Sequence, residues 1–159
     1  MSIDEQQKQL ILQKLQDLKS LKIFSQMSER EIFEVMKRAD ILKYEPEDLV
    51  FSEGDEEEHL YVIIQGAFQV SSTSRSGEDL TFFVAGPGLI FGEMSFLDRQ
   101  PRSASITARE AGEVFRLTRD DYEDMLQKDP TTAAKFMFGV SEILSRRMRG
   151  ANQRIKYAT

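Results

Sequence analysis

The sequence predicts an α+β domain that is mainly β, with short antiparallel strands arranged as a sandwich or barrel and helices at both ends. Two patterns carry this reading. From Ile41 to Leu117, short runs of β-branched and aromatic residues alternate with turn formers, among them Gly54, Gly66, Gly77 and the Gly86-Pro87-Gly88 triplet. On either side of that region the apolar residues recur at helical spacing behind recognisable capping residues. With 159 residues, 40% hydrophobic and 30% charged, one domain with a real core is expected.

In chain order, residues 4 to 19 read as a helix whose Ile11, Leu15 and Leu18 form one apolar stripe, to be laid on the domain or on a partner. Ser28 with Glu31 makes a capping box, and Met27 can staple to Ile32, so a second helix is placed at 29 to 38. The strands follow at Ile41 to Tyr44, Leu49 to Phe51, Leu60 to Gln65, Ala67 to Ser71, Leu80 to Val84, Ser103 to Thr107 and Glu113 to Leu117. Thr118 and Asp121 cap a helix over 119 to 127, and Asp129-Pro130 opens a last long helix. Along it Phe136, Val140, Leu144, Met148, Ala151 and Ile155 make a stripe of apolar or small residues. That stripe is expected to pair with a second subunit; the alternative is a helix that bends at Gly150 and folds back on its own domain. The expected division is a helical extension at 1–19, a β domain at 20–129 and a lid or dimerisation helix at 130–159.

Composition removes several functions. The 27 acidic and 21 basic residues leave a formal charge of −6, which supplies no field for nucleic acid or an anionic membrane. There is no cysteine, hence no thiolate chemistry, and a single histidine, His59, falls short of a cupin-type metal site. The acidic run Glu53 to Glu58 reads as a solvated loop, and Arg146, Arg147 and Arg149 as charges favoured by the dipole near a helix end. No signal peptide or membrane span is readable, so a cytoplasmic location is the default expectation, with no metal cofactor and no membrane partner.

The chemistry concentrates in residues 91 to 106. Gly92 allows backbone to approach a ligand closely, and Glu93 to Leu97 can form one helical turn whose first N–H groups face an anion. Arg102, after Pro101, offers a fixed fork to phosphate oxygens, whereas the Glu93 carboxylate suits a hydroxyl. A sugar phosphate has both groups.

Phe91-Gly92-Glu93, Met94-Ser95 and Pro101-Arg102-Ser103-Ala104, with the glycine turns at Phe51 to Asp55 and Tyr61 to Gly66 before them, resemble the phosphate-binding cassette and early strands of the cyclic nucleotide-binding domain family. The resemblance covers roughly residues 20 to 155. It implies a jelly-roll β-barrel and a cyclic nucleotide ligand, cAMP before cGMP because Ser103 stands where threonine accompanies guanine preference. It further implies that Glu93 accepts the ribose 2′-hydroxyl, that Arg102 pairs the cyclic phosphate, and that backbone N–H groups near Ser95 and Ser103 complete the anion site. Met94 and Phe96 read as core anchors of the short helix. Base contact is expected from Ser103 and from the last helix at Asn152, with Arg149 or Tyr157 as alternatives. No catalytic constellation is present. The expected output is therefore a non-enzymatic sensor acting on an unknown effector protein or on its own assembly as a homodimer; with the chain stopping at Thr159, no DNA-reading domain is expected.

Overall fold

The computed structural model describes residues 3–158; Met1, Ser2 and Thr159 lie outside the described residues. Helix α1 (Glu5–Ser20), a single 3-10 turn (Lys22–Phe24) and helix α2 (Glu29–Met36) precede the sheets. The strands are β1 (Asp40–Tyr44), β2 (Leu49–Phe51), β3 (His59–Gln65), β4 (Phe68–Thr73), β5 (Asp79–Ala85), β6 (Ile90–Phe91), β7 (Ser105–Ala108) and β8 (Gly112–Thr118). Helix α3 (Glu93–Asp98) lies between β6 and β7, and α4 (Arg119–Lys128) and α5 (Pro130–Ala158) close the chain.

The helices start where their caps dictate. Asp4 Oδ1 accepts from Gln7 N at 2.6 Å, and Thr118 Oγ1 from Asp121 N at 2.9 Å. At α2 both arms of the capping box form: Ser28 Oγ accepts from Glu31 N at 3.2 Å and Glu31 Oε1 from Ser28 N at 3.0 Å. That backbone hydrogen bond is the main reason the Glu31 carboxyl is held below its ordinary pKa, with the ammonium of Lys135 on α5 adding to it at 3.0 Å.

The strands form two antiparallel sheets, ordered β1-β8-β3-β6 and β2-β7-β4-β5. This is the expected jelly roll, flattened into two facing sheets that do not close into one hydrogen-bonded ring. Strand β3 explains the layering. Tyr61 and Ile63 point between the sheets, into a core with Phe51, Phe68, Phe91, Ile106 and Val114. Leu60, Val62 and Ile64 point the other way, under Ile11, Leu18, Phe24, Ile32, Val35, Phe136 and Val140 from the helices. A strand covered on both faces reads as a continuous apolar run, as Leu60 to Ile64 does.

Two elements have no counterpart in the sequence reading: the 3-10 turn and β6, whose two residues pair with Tyr61 and Val62 and are too few to show a period. Strand β7 starts at Ser105 instead of Ser103, because Arg102 is committed elsewhere. Its N–H donates to Asp55 O and its carbonyl accepts from Gly54 N, both at 2.8 Å.

Helix α5 runs unbroken through Gly150 for 29 residues, so the chain does not fold back there. The stripe read from the sequence does not lie on one face, since each step of four advances about 40° beyond a full turn. Phe136 and Val140 are buried, Leu144 is half-buried, and Met148 and Ile155 are exposed. What brings α5 down onto the domain is Gly139: a Cβ there would lie 2.6 Å from the carbonyl oxygen of Ile23.

This close approach gives two substitutions of opposite sign on one helix. Gly139→Ala should lose about 1–2 kcal/mol, the overpacking against backbone exceeding the gain in helix propensity. Gly150→Ala, where a Cβ meets nothing nearer than Arg154 Nη1 at 3.8 Å, should gain about 0.5–1 kcal/mol. Urea unfolding of the two variants measures both; equal shifts would contradict the packing assigned to Gly139.

Candidate functional site

Strand β6 delivers Phe91 into the core and the chain then turns at Gly92, which caps α3 with φ +75. Two conditions require glycine here. The positive φ disfavours a side chain, and a Cβ would stand 2.7 Å from Arg102 Nη1 and 2.8 Å from the carbonyl oxygen of His59. The first N–H groups of α3 have no acceptor within the helix and so are open to an anion. At the other end, Arg119 Nη1 donates to the carbonyls of Phe96 (3.1 Å) and Leu97 (2.9 Å), tying α3 to the start of α4.

Arg102 is 3% exposed. Its Nη1 donates to Gly92 O and its Nη2 to His59 O, each at 2.9 Å, and its guanidinium carbon lies 4.1 Å above the centre of the Phe51 ring. The nearest carboxylate, Glu57, stands 3.8 Å from Nη2, and the buried Nε has no hydrogen-bond partner. Burial pulls the guanidinium below its ordinary pKa, and Glu57 acts against that. A buried cation held mainly by neutral carbonyls and an aromatic face retains most of its attraction for an anion. His59 stands beside it, its imidazole lowered from the ordinary histidine value chiefly by burial and its Nδ1 3.7 Å from Glu57 Oε1.

Glu93, the first residue of α3, is buried to 9% exposure. Its Oε1 is paired at 2.5 Å with Nη1 of Arg147, which comes from the middle of α5; Arg147 Nη2 also donates to Ile90 O at 2.7 Å. The same guanidinium sits 5.1 Å from the Phe83 ring centre. One long helix is thus fastened to the short turn that presents Glu93.

Between these groups lies a cavity of about 270 Å³ with an apolar wall of Phe51, Val70, Phe82, Phe83 and Ile106 and a polar end formed by Glu93, Ser95, Arg102 and Arg147. Phe91, Gly92, Glu93, Met94, Ser95, Arg102, Ser103 and Ala104 all line it. Among the described residues no three His, Cys, Asp or Glu side chains converge as a metal site. The arrangement offers a buried positive fork, a hydroxyl acceptor and a flat aromatic wall, which is what a nucleotide with a compact phosphate presents in complement.

Three expectations change. Phe96 is a core anchor, fully buried 5.8 Å from the Tyr122 ring, but Met94 is not. Side chains two apart on a helix diverge, so Met94 is exposed and lines the cavity, its sulfur accepting from Ser103 Oγ at 3.4 Å. Asn152 is exposed and does not line the cavity; it follows Arg147 by five residues, about 140° around the helix. Arg149 and Tyr157 do not line it either. In their place α5 contributes Arg147, which is no helix-end charge. Its signal in the sequence is positional: Phe136, Val140, Ile143 and Arg147 continue one buried face at i, i+4, i+7 and i+11.

The sequence matches the family model described as the cyclic nucleotide-binding domain over residues 41–129. It is 36% identical over 103 residues to the cyclic AMP receptor protein of Thermus thermophilus, a match covering 65% of this chain and 46% of that protein, so the chain spans about half the length of this curated relative. The fold superposes on a cyclic nucleotide-binding domain from Methylobacillus flagellatus with a TM-score of 0.83 and 26% identity, covering 95% of this chain and 85% of the other. It also superposes on the regulatory domain of Toxoplasma gondii PKA, crystallised with cAMP, with a TM-score of 0.62 and 30% identity over 77% of this chain and 46% of the other. With its glycine turn, buried arginine and two-sheet jelly roll in place, and with the family model matching more than half of its length, the chain belongs to the cyclic nucleotide-binding domain family.

Proposed function

We propose that the chain is a cAMP sensor without catalytic activity of its own, working in the cytoplasm through an effector protein or its own assembly. Buried Arg102, with no carboxylate nearer than 3.8 Å, is the observation that carries this reading. It receives the cyclic phosphate together with the first N–H groups of α3 and the Ser103 region, Glu93 accepts the ribose 2′-hydroxyl, and the base lies along Phe82 and Phe83. Stacking on an aromatic face contributes about 1–3 kcal/mol. The choice of cAMP is supported by the named ligand of the Thermus and Toxoplasma relatives and by serine at position 103. The charge of −6 supports an output that is not nucleic-acid binding, and no helix among the described residues is long and apolar enough to cross a membrane.

Transmission runs through the Glu93–Arg147 pair. A ligand that takes up Glu93 changes what holds α5, and an equilibrium shifts only through such differential contacts. In this reading residues 20–129 are the sensing unit and residues 130–159 the moving one.

The homodimer belongs to the same proposal, with a corrected seam. Ala134, Phe138, Ser141, Ser145, Met148, Asn152 and Ile155 are all exposed, uncharged, and spaced alternately four and three apart, the repeat that pairs helices. Asn152 falls in this seam, where a polar residue fixes register.

Calorimetric titration with cAMP should give one site per chain. Arg102→Ala should weaken it by roughly 30-fold or more, the loss of one charged partner costing about 2–5 kcal/mol. Glu93→Gln should weaken cAMP yet leave the 2′-deoxy analogue nearly unaffected; equal losses for both would remove the ribose role. Silence toward cAMP, cGMP and other cyclic nucleotides at millimolar concentration would replace the sensor with a ligand-independent interaction module. Light scattering should report about twice the 18.3 kDa chain mass, falling to one chain in Met148→Asp. A monomer at high concentration with and without cAMP would exclude the seam.

A further inference from the structure

His59, the sole histidine of the chain, stands beside Arg102 yet does not line the nucleotide cavity. Its carbonyl oxygen accepts from Arg102 Nη2, while its imidazole Nδ1 is buried with no hydrogen-bond partner among the described residues. One carboxylate lies between the two side chains. Glu57 places Oε1 3.7 Å from His59 Nδ1 and Oε2 3.8 Å from Arg102 Nη2, outside hydrogen-bond reach of either.

The other charges around the imidazole have partners of their own. Arg116 on β8 and Asp40 on β1 are paired at 3.2 Å, and Arg116 donates to the Tyr61 hydroxyl as well. On the solvent side Arg99 is paired with Glu58 and Asp120, Arg119 with Glu123, and Glu56 completes the wall. Burial first and Arg116 second lower the imidazole below its ordinary pKa, Arg102 adding to them and Glu57 and Asp40 opposing. A phosphate arriving on Arg102 shifts this balance in one direction. It offsets the guanidinium that disfavours a charged ring, and it repels Glu57, whose other ion-pair contact is His59. Both effects favour the imidazolium, in which Nδ1 has a proton to donate to Oε1.

We propose that Glu57 competes with the ligand phosphate for Arg102, and that His59 draws Glu57 away by taking up a proton, so that nucleotide binding and protonation of His59 reinforce each other. The inference rests on the reading that places a phosphate at Arg102. His59 is then a positioning residue that touches no ligand atom and acts through Glu57. The imidazole has a higher pKa in the complex than in the free chain. Affinity is therefore level above the pKa of the complex, rises as pH falls between the two values, and is level again below that of the free chain. A difference of about one unit makes the whole rise about tenfold and the uptake about half a proton at its maximum.

The test is calorimetric titration of the full chain with cAMP between about pH 5.5 and 7.5, the range in which histidine is the side chain that ordinarily titrates. Repeating each point in two buffers of different ionisation enthalpy counts the protons taken up. The wild type should bind about three- to tenfold more tightly at the acid end, with an uptake of up to about half a proton. His59→Gln, which keeps the carbonyl that Arg102 uses, should give a flat profile and no uptake. Glu57→Gln removes the competitor, so it should bind cAMP about two- to fivefold more tightly at the alkaline end and take up less of a proton. Wild-type binding without uptake, or uptake that persists in His59→Gln, overturns the proposal and leaves the nucleotide reading intact; the first of these needs no variant to fold. Weaker binding in Glu57→Gln overturns the competition. Silence of the wild type toward cAMP and cGMP at every pH removes the nucleotide reading and this proposal together.

Discussion

The site depends on one buried charge. Arg102 carries a guanidinium into the space between the sheets, where desolvation is costly and its two terminal nitrogens are matched with acceptors while Nε is not. The fold answers with two backbone carbonyls, an aromatic face and a carboxylate held at the edge of ion-pair range. Much of the local structure follows from those needs. Gly92 is glycine because the fork occupies the volume of a Cβ, His59 begins β3 with its carbonyl turned to Nη2, and the chain around Arg102 gives up its own strand pairing to bond Gly54 and Asp55.

Charge left undercompensated by neutral partners is also what gives the site its chemistry. A carboxylate in direct contact would neutralise the fork; carbonyls position it without cancelling its charge. Glu93 is the complementary case. Its carboxylate is buried on the neighbouring turn and satisfied by an arginine from far along the chain. The two ends of the cavity therefore differ in ownership: the Arg102 end belongs to the jelly roll, and the Glu93 end is shared with α5.

That sharing makes α5 more than a lid. One face, with Phe136, Val140 and Ile143, is core. A second carries Arg147 into the cavity. A third, from Ala134 to Ile155, is exposed and free of charge. A helix anchored at Gly139 against Ile23 and at Lys135 against Glu31 is fixed in its first half, while its distal half is held to the domain chiefly through Arg147. A single side chain thus ties the distal half of α5 to the turn that presents Glu93.

Local signals were legible in the sequence. Capping boxes, glycine turns and apolar period placed nearly every helix and strand, because each is set by residues within a few positions of one another. The cassette was legible for the same reason: Gly92, Glu93 and Arg102 act within one turn and a short loop. The sequence alone carried the fold class and the family resemblance, and it singled out Phe91, Gly92, Glu93, Ser95, Arg102, Ser103 and Ala104, which the structure brings to the lining of one cavity. Long-range geometry was out of reach. Whether Met94 faces core or cavity depends on which side of a six-residue helix meets the domain, and whether Arg147 or Asn152 reaches the cassette depends on how α5 is rotated. That rotation is set by Gly139 against Ile23 and by ion pairs spanning more than fifty positions in the chain. Only the tertiary structure decides it, because a helix carries its periodicity in sequence but takes its absolute orientation from what it packs upon.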